Sequence, residues 1–483
     1  MKLLQLLNGV KYDMYQGEDV DINSIVIDSR KVSKGDIFIC IDGMRVDGHK
    51  YIESAVSSGA AAVLVQKDVE ISGDVTVIKV ENTRAAMSIM AGNFYNWPSR
   101  NYKLVGFTGT NGKTSSTYFL EAILDEANRK SGIIGTVSTR VGNNLVKTEF
   151  ATSTTPDPVE LQQIFGEMAD SGVSEVVMEV TSHALELKKV EGLNFEVSVF
   201  TNLTQDHLDL HGSMENYKLA KADLFKMSNI SVINIDSEYG AFMAGCAKGE
   251  VITYSITKPS NLQAINVVYT SQGISFDVVY GETVHFDIPV PGRFTVYNAL
   301  GVIGAAIGLK IPMEIIKKAL GALKGVPGRI QSIPNNKGIG VYVDYSHTPD
   351  SLENIITSVR EFTSGRIISI FGCGGDRDRT KRPIMGEISA RLGDFSVITS
   401  DNPRTEDPQA IVDEVETGVS PITNNYVKIT DRREAIYYAI NMACSGDSVI
   451  IAGKGHESYQ IFADKTIHFD DAEEAAEALA KKE

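Results

Sequence analysis

The chain has 483 residues, of which 43% are hydrophobic and 22% are charged, and its formal net charge is -16 at pH 7. This length is too great for one hydrophobic core and predicts about three domains. The acidic balance disfavours a nucleic-acid partner, and it requires that local cationic groups hold any anionic substrate.

Targeting signals are missing from the sequence pattern. No apolar stretch approaches the roughly 18 residues that a membrane helix needs. The N-terminus lacks the basic region and the cleavage site of a signal peptide. The cysteines lie far apart and do not have the spacing of a metal site. These features predict a cytoplasmic protein with reduced thiols.

Residues 1–98 alternate short strands with helices and predict a small N-terminal α/β domain. The strand "AAVLVQ" follows the helix "HKYIESAVSSG". The helix "TRAAMSIMAGNFYN" stops at Trp97 and Pro98, which mark a domain boundary.

The segment "GFTGTNGKTSS" follows a predicted strand and precedes a predicted helix. Its glycines let backbone N–H groups surround a phosphate, Lys113 adds charge, and Thr114 can bind Mg²⁺. The standard G-x-x-x-x-G-K-[ST] pattern would place its first glycine at position 107, where this chain has Phe107. The glycine-rich loop is therefore shorter here and begins at Gly109. A chance glycine-rich turn is the alternative, but the flanking strand and helix favour a site for ATP or a related nucleotide with Mg²⁺. The predicted contacts are Gly109, Thr110, Asn111, Gly112, Lys113, Thr114 and Ser115.

Further polar residues follow buried strands of the same segment. Glu179 ends the apolar strand "SEVVMEV", where its carboxylate could bind Mg²⁺ or face solvent. The sequence "TNLTQDHLDLHG" clusters Asp206, His207, Asp209 and His211, which by themselves suit a metal site and a polar loop equally; their place after a buried strand favours the metal site. Lys221 lies on a predicted helix, where a lysine is usually solvated.

A different pattern ends the central segment. From Val267 to Pro291 polar and apolar residues alternate between turn signals, which predicts an antiparallel meander. Two helices follow, and the linker "KGVPGR" comes after them. Residues 99–327 therefore predict a central domain built on a parallel sheet of the P-loop type.

The last segment, residues 328–483, repeats a strand–loop–helix order and predicts a doubly wound parallel sheet of Rossmann type. Polar loops follow the strands "GVYVDY", "RIISIF", "FSVITS" and "DSVIIA". Ligands bind at the carboxyl ends of such strands. Each basic residue alone could be a solvated surface residue, but four such loops favour an anion site that faces the phosphate loop. The cations at this edge are Arg377, Arg379, Arg382, Arg404 and Lys454.

The stretch "TSDNPRTEDP" contains the third of these loops. Pro403 stiffens the backbone next to Arg404. A surface turn with a solvated arginine and a rigid site for a carboxylate are both compatible with this pattern.

The motifs "GTNGKT", "STTPD", "SHAL", "NLTQDHLDLHG", "PGRFTVYNAL", "VPGR", "DYSHTPDSL", "GCGGDRD", "DNPR" and "AGKGHE" occur in this order between Ser29 and Glu457. Together they resemble the Mur ligases of peptidoglycan synthesis. The resemblance implies a UDP-substrate-binding domain (1–98), an ATP-binding domain (99–327) and a Rossmann-like domain that binds an amino acid (328–483). It also implies a ligase with ATP and Mg²⁺ as cofactors, and we expect a cytoplasmic monomer.

The implied reaction is ATP-dependent amide formation through an acyl phosphate. Meso-2,6-diaminopimelate is joined to the D-Glu of UDP-N-acetylmuramoyl-L-alanyl-D-glutamate. Phosphorylation is needed because a carboxylate is a poor electrophile.

The resemblance also assigns residues to ligands. The UDP-substrate positions are Ser29, Met44, Arg45, Val46, Thr154, Thr155, Thr181 and Lys189. The magnesium positions are Thr114, Glu179, His207 and Lys221, the last as a carbamate that supplies a carboxylate. The other nucleotide positions are Asn298, Arg329, Asp344 and His347.

Three positions depart from the family pattern. Thr181 replaces a serine and keeps the hydroxyl. Leu187 replaces a glutamine and Lys189 replaces an arginine, so a point charge stands where the family has a planar fork.

Family members that add diaminopimelate carry D-N-P-R, whereas members that add L-lysine lack this arginine. Diaminopimelate has a far carboxylate that lysine lacks, and a guanidinium can bind it bidentately. The implied roles are Arg404 for this carboxylate, Arg377 for the other carboxylate, and Asp401, Asn402 and Glu457 for the ammonium. The full implied set is Arg377, Asp401, Asn402, Pro403, Arg404, Gly453 and Glu457.

Three alternatives stay open at this point. The same reaction could use L-lysine, or the chain could be a ligase similar to folylpolyglutamate synthetase. A nucleotide-dependent hydrolase or switch would explain "GTNGKT" and Glu179, but it would not explain the four polar loops.

Overall fold

The computed structural model describes residues 1–43, 46–71, 74–146, 154–204 and 208–482. They form two compact units. The first unit comprises Met1–Leu262 with Gly301–Ile316, and the second comprises Gln263–Leu300 with Lys317–Glu483. The domain boundaries near residues 98 and 327 stay a prediction.

The N-terminal part of the first unit contains a mixed sheet. Its strands are β1 (Met14–Gln16), β2 (Ile25–Val26), β3 (Ile37–Ile39), β4 (Ala62–Val65) and β5 (Thr76–Lys79). They stand in the order β1-β5-β4-β3-β2, with β1 antiparallel to β5 and the others parallel. The helices of this part are α1 (Leu3–Leu6), α2 (Ile52–Ser57) and α3 (Thr83–Phe94).

The nucleotide-loop segment forms a second sheet of the first unit. Its strands are β6 (Lys103–Thr108), β7 (Ser131–Ile134), β8 (Thr139–Val141), β9 (Asn144–Leu145), β10 (Glu175–Glu179), β11 (Phe195–Phe200), β12 (Ser228–Asn234) and β13 (Glu250–Ser255). The order is β13-β12-β11-β6-β10-β7-β8-β9, and the strands from β13 to β7 are parallel. Strands β6, β10 and β11 are buried along most of their length, as central parallel strands are.

Helices follow the parallel strands of this sheet. They are α4 (Lys113–Glu126), α5 (Pro158–Asp170), α6 (Ser182–Glu186), α7 (Leu208–His211), α8 (Met214–Lys226) and α9 (Gly240–Cys246). The predicted meander is confirmed and begins earlier than expected, with the antiparallel strands β14 (Leu262–Thr270), β15 (Gly273–Tyr280) and β16 (Glu282–Ile288). Helices α10 (Arg293–Gly308) and α11 (Met313–Gly321) come next.

The C-terminal sheet confirms the predicted parallel strands. Its strands are β17 (Gln331–Ser332), β18 (Gly340–Asp344), β19 (Ile367–Phe371), β20 (Phe395–Ile398), β21 (Tyr426–Lys428) and β22 (Ser448–Ala452). The order is β17-β18-β22-β19-β20-β21, and only the pair β17–β18 is antiparallel among the described pairs. A hairpin of β23 (Tyr459–Ile461) and β24 (Thr466–His468) follows the last central strand.

Helices cover both faces of this sheet because its central strands are continuously buried and place apolar residues on both faces. Helices α12 (Pro349–Arg360), α13 (Lys381–Leu392) and α14 (Pro408–Val419) pack with Tyr342, Ile367 and Ile450. Helices α15 (Arg432–Met442) and α16 (Asp471–Lys481) pack with Val341, Ile368 and Val449 on the opposite face. Among the described residues, no helix is both long and apolar enough to cross a membrane.

Candidate active site

The phosphate loop joins β6 to α4 and leaves no room for a side chain at its first glycine. Gly109 has φ +153°, and a Cβ there would lie 1.9 Å from the hydroxyl of Thr201. Residues at the end of β11 hold the loop: Asn111 N donates to Asn202 Oδ1 at 2.9 Å, and Thr201 Oγ1 donates to Asn111 O at 2.6 Å. Helix α4 begins directly after Gly112, so its N-terminal N–H groups face the loop.

Two ammonium groups converge on the Gly109 carbonyl. Lys113 Nζ donates to it at 2.9 Å, and Lys221 Nζ donates to it at 3.0 Å. Lys221 is only 1% exposed and lies 4.7 Å from the ring centroid of Tyr217. The expectation of a solvated helical lysine was therefore wrong, because α8 places this side chain under the phosphate loop.

Glu179 also points inward rather than to solvent. The Glu179 carboxylate accepts from Thr114 Oγ1 at 3.0 Å, from Thr136 N at 2.9 Å and from Thr136 Oγ1 at 3.1 Å. Ser115 lies beside Thr114 in the first turn of α4. A carboxylate next to a loop hydroxyl provides the oxygen ligands that Mg²⁺ prefers, so these residues fit the ion.

The cluster after β11 is described only in part. Asp206, His207 and the side chain of Asp209 lie outside the described residues. His211 is 4% exposed and stacks on Tyr217 with ring centroids 4.8 Å apart. Within the described ranges, no group of three His, Cys, Asp or Glu side chains could hold a metal ion. Mg²⁺ commonly takes one or two carboxylates together with water and phosphate oxygens, so Glu179 and Thr114 still fit it.

The threonines assigned to the peptide substrate surround Glu179. Thr154 Oγ1 lies 3.0 Å from Thr136 Oγ1, and Thr155 Oγ1 donates to the Glu179 carbonyl at 2.9 Å. Thr181 caps α6, and its hydroxyl is 3.3 Å from that of Thr155. The fold therefore brings these residues together beside the candidate magnesium ligands.

Lys189 is fixed next to the same group. Its Nζ lies 2.9 Å from Asp157 Oδ1 and donates to Thr155 O at 3.1 Å. The point charge that replaces the family's arginine thus has a defined position. Leu187 directly follows α6 as its C-cap residue.

The candidate UDP residues are only partly described. Ser29 begins a short 3₁₀ turn and is buried. Val46 is 55% exposed, and Met44 and Arg45 lie outside the described residues.

Most of the remaining nucleotide positions cluster around Tyr345 in the second unit. The Arg329 guanidinium lies 4.9 Å from the Tyr345 ring centroid, and the His347 ring nitrogen Nδ1 lies 2.7 Å from the Tyr345 carbonyl oxygen. Asp344 Oδ2 accepts a hydrogen bond from Ile330 N at 2.8 Å. Asn298 is buried on α10, and none of the described contacts joins it to this cluster.

A histidine that the sequence analysis left unassigned joins the Tyr345 cluster. The His456 ring lies 5.0 Å from that of Tyr345. Burial, and then the positive charge of Arg329, lower the pKa of His456 to about 4. His456 is therefore neutral at physiological pH.

The loops after β20 and β22 meet through Asn402. Its Nδ2 donates to Glu457 Oε2 at 2.8 Å, and its Oδ1 accepts from Lys454 Nζ at 3.2 Å. Lys454 is fully buried and also lies 3.2 Å from Glu457 Oε2. A Cβ on Gly453 would lie 2.6 Å from Asp401 Oδ2. The predicted amino-acid residues Asp401, Asn402, Gly453 and Glu457 are thus neighbours.

Arg404 follows Pro403 with its backbone in the left-handed region, at φ +51°. Its N–H donates to Ile461 O at 3.0 Å, and its Nη1 donates to Gly375 O at 2.8 Å. Arg377 is exposed and donates to the carbonyl of Asp376 at 3.1 Å. Among the described residues, no carboxylate pairs with either guanidinium, so both can still bind an anion.

Arg379 and Arg382 were expected to contribute to an anion site, but both form ion pairs with acidic residues of the chain. Arg382 is fully buried and donates to Glu406 at 2.8 and 3.0 Å and to Glu414 at 2.8 Å. Arg379 pairs with Glu414 as well. These cations join the α13 region to Glu406, which precedes α14, and to Glu414, which lies on α14, so their charge is already compensated.

Three further residues of the site had no role predicted from the sequence: Thr136, Thr201 and Asn202. Each lies within two residues of the end of a parallel strand, Thr136 after β7 and the other two after β11. The rule that ligand-site residues follow the carboxyl ends of parallel strands would have identified them.

Sequence models of one family match most of the chain. The Mur ligase family, catalytic domain matches residues 21–95, the Mur ligase middle domain matches 107–306, and the Mur ligase, glutamate ligase domain matches 328–455. The chain is 46% identical to the UDP-N-acetylmuramoyl-L-alanyl-D-glutamate–2,6-diaminopimelate ligase of Clostridium botulinum, over 99% of each chain. It is 45% identical to the enzyme of the same name from Clostridium perfringens, over 100% of each chain.

Solved structures show the same architecture. A UDP-N-acetylmuramoyl-L-alanyl-D-glutamate–2,6-diaminopimelate ligase superposes with a TM-score of 0.72 at 30% identity, over 99% of each chain. A folylpolyglutamate synthase from Mycobacterium tuberculosis superposes with a TM-score of 0.62 at 17% identity, over 77% of this chain and 92% of that one, and shares the fold alone. The predicted fold class of α/β domains with parallel sheets is confirmed.

Proposed function

The chain belongs to the Mur ligase family, and on this premise we propose how its residues carry out the reaction. It is an ATP-dependent, amide-bond-forming ligase of peptidoglycan synthesis that adds 2,6-diaminopimelate to UDP-N-acetylmuramoyl-L-alanyl-D-glutamate. The observation that carries it is the Asp401–Arg404 loop, in which Asn402 donates to Glu457 and the Arg404 guanidinium donates to a backbone carbonyl and has no carboxylate partner among the described residues.

The phosphate loop binds ATP. Backbone N–H groups of residues 109–112 and of the first turn of α4 hold the phosphates, and Lys113 neutralises charge on the phosphoryl group that is transferred. Asn202 and Thr201 keep the loop in this conformation through Asn111. Because the Tyr345 cluster carries Arg329 and His347, we assign it a role in contacting the nucleotide too.

Thr114 and Glu179 would hold Mg²⁺, together with His207 as the family resemblance implies. When bound, the ion stabilises negative charge on the phosphate oxygens. Lys221, as a carbamate, would supply a further carboxylate for a second ion. A nucleotide-bound crystal structure with an unmodified Lys221 would contradict the carbamate.

The reaction proceeds in two displacements. A carboxylate oxygen of D-Glu attacks the γ-phosphorus of ATP, and ADP leaves, which produces an acyl phosphate. The amino group of diaminopimelate then attacks the acyl carbon, loses a proton and expels phosphate as the amide forms. Thr154, Thr155, Thr181 and Lys189 position the peptide beside Glu179, so the chain orients the reacting carboxylate rather than bonding to it covalently.

The C-terminal loops select the amino acid. Arg404 pairs with the far carboxylate of meso-diaminopimelate, and Arg377 pairs with the other carboxylate. Asp401, Asn402 and Glu457 accept hydrogen bonds from the ammonium group, and Gly453 allows the close approach of its loop to Asp401. L-Lysine would leave the Arg404 guanidinium without an anion, which disfavours its binding.

The test of this proposal is amide formation with each amino acid at matched concentrations of ATP and UDP-substrate. We expect kcat/KM for meso-diaminopimelate to exceed that for L-lysine by about 100-fold or more, by the rule for unpaired polar groups in a specific site. Equal or better turnover of L-lysine would refute the specificity. We further propose that the enzyme acts in the cytoplasm as a monomer.

A further inference from the structure

Arg432 is a fully buried guanidinium that the reaction described above does not use. Its Nε and Nη2 donate to the two carboxylate oxygens of Asp471 at 2.7 Å each, and Asp471 is fully buried too. Arg432 is the first residue of α15, and Asp471 is the first residue of α16. Burial of two charges is costly unless further hydrogen bonds compensate for the lost water, so the other partners of this pair are informative.

The remaining hydrogen bonds of Arg432 reach the ends of two strands. Nη2 donates to Ala452 O at 3.0 Å, and Nη1 donates to Ser400 O at 3.4 Å. Ala452 ends β22 and directly precedes Gly453. Ser400 lies just beyond β20 and directly precedes Asp401. Arg432 therefore donates to the backbone carbonyl that immediately precedes each loop of the amino-acid site.

Sheet pairing does not join these two strand ends. Strand β19 lies between β20 and β22, so the sheet alone holds them about 10 Å apart, twice the usual strand spacing. The planar guanidinium bonds to both ends at once. It thereby sets the distance between the two loop starts independently of β19.

The charge of Arg432 also acts on the ligand residues themselves. Asp401 and Glu457 are among the carboxylates that interact with it electrostatically. A Cβ on Gly453 would lie 2.6 Å from Asp401 Oδ2 and 3.8 Å from Arg432 Nη2. Because these atoms are closely packed, a shift of either loop start would move the Asp401 carboxylate, which receives the ammonium group.

We propose that Arg432, oriented by Asp471, is a positioning residue for amino-acid recognition that fixes the loops 401–404 and 453–457 relative to each other. The proposal rests on the proposed function, because it takes these loops as the diaminopimelate site. It makes the start of α16 part of the recognition apparatus, although no residue of α16 is assigned to a ligand.

The test uses a double variant of the full-length enzyme, Arg432→Met with Asp471→Leu. Removing both charges avoids an unpaired buried ion, which single substitutions would leave behind. We expect KM for meso-diaminopimelate to rise about tenfold or more, while KM for ATP and for the UDP-substrate changes by less than about twofold.

The matched control is Arg366→Met with Asp447→Leu. This pair joins at 2.7 Å next to the starts of β19 and β22, at the opposite edge of the same sheet. The control should lower the melting temperature without a selective change in KM for diaminopimelate. An unchanged KM for diaminopimelate in the Arg432 variant would overturn the proposal, and so would equal increases in both double variants.

A milder variant covers the case in which the double variant does not fold. Arg432→Lys keeps the charge next to Asp471, but one ammonium cannot replace the fork that also reaches both carbonyls. KM for diaminopimelate should rise about threefold in Arg432→Lys, and no rise would overturn the proposal. The wild-type preference between diaminopimelate and L-lysine is measured in the same assay. If lysine is preferred, the proposed specificity fails, and the Arg432 effect is then read from KM for lysine.

Discussion

Arginines with similar sequence surroundings differ in role according to the carboxylates near them. Arg382 and Arg432 are buried against acidic partners, and these ion pairs join the helices that cover the C-terminal sheet to one another. Arg404 and Arg377 contact backbone carbonyls and have no acidic partner among the described residues. In a chain with a net charge of -16, an arginine that is left without a carboxylate partner is suited to an external anion.

The first prediction concerns Arg404. Arg404→Ala removes the group that binds the far carboxylate, so KM for meso-diaminopimelate should rise about 100-fold with KM for ATP unchanged, as for a lost charged hydrogen-bond pair. Steady-state kinetics with each substrate varied in turn measures this. Arg391→Ala is the control, because Arg391 forms an exposed pair with Glu387 on α13. A parallel loss of ATP affinity in Arg404→Ala would contradict the assignment.

The second prediction concerns the pH dependence of stability. The pKa of His456 falls from 6.5 to about 4 on folding, chiefly through burial. The folded state then binds fewer protons than the unfolded state, so the stabilisation is present above pH 6.5 and is lost as the pH falls from 6.5 towards 4. The loss amounts to at most about 3 kcal/mol. Melting temperatures should therefore fall less steeply with acid in His456→Gln than in the wild type.

His468 provides the control for this experiment. Glu473 raises the pKa of His468 at the surface, so its contribution is present below its unfolded pKa and is lost as the pH rises. His468→Gln should not reduce the acid sensitivity. If both variants behave alike, the effect does not originate in the buried ring.

At the scale of elements, a turn and a loop pack backbone against backbone. Gly328, in the turn before β17, has φ +66°, and a Cβ on it would lie 2.3 Å from His456 N and 2.5 Å from Gly455 C. Tyr345 N also donates to Gly328 O at 2.9 Å. The turn that contains Arg329 therefore packs against the loop that contains Glu457. This contact connects a residue assigned to the nucleotide with a residue assigned to the amino acid.

The third prediction follows from this packing. Gly328→Ala should destabilise the protein by about 2 kcal/mol or more beyond Gly325→Ala, because a backbone clash adds to the left-handed conformation. Gly325 is a close control: its φ is +86°, and nothing lies within 4 Å of the added Cβ. Denaturant unfolding of the two variants measures the difference. Equal stabilities would show that the turn can move away from residues 455 and 456.

At the scale of the whole molecule, the reaction depends on three substrates. Residues assigned to the phosphates of ATP and to the UDP-peptide belong to the first unit, and those assigned to diaminopimelate belong to the second. In the proposed reaction, ADP forms when the D-Glu carboxylate is phosphorylated, and the acyl phosphate is consumed only when the amine of diaminopimelate attacks it.

The fourth prediction tests this coupling. Steady-state ADP release should require both the UDP-substrate and diaminopimelate, and omission of either should lower the rate by about 100-fold or more. A coupled assay for ADP with each substrate omitted in turn provides the measurement. ADP release at the full rate with ATP alone would indicate a hydrolase or a switch protein instead.

Local patterns predicted most of the fold. The strands β18, β19, β20 and β22 were visible as apolar runs followed by polar loops, and the phosphate loop was visible from its glycines and Lys113. The roles of individual cations were harder to predict. In the sequence, Arg382 and Arg404 both belong to arginine-containing segments that follow β-strands, and only their distances to Glu406 and Glu414 in the structure distinguish their roles.

The sequence by itself therefore determined the family, the order of elements and the loops that carry the chemistry, because these depend on residue type and on spacing along the chain. The tertiary structure decided which charges are compensated and which are available: Lys221 lies under the phosphate loop, and Arg432 connects two strand ends. Such contacts join residues distant in sequence, such as Arg432 and Asp471. Electrostatic and hydrogen-bond energies depend on distances in space, which spacing along the chain does not specify.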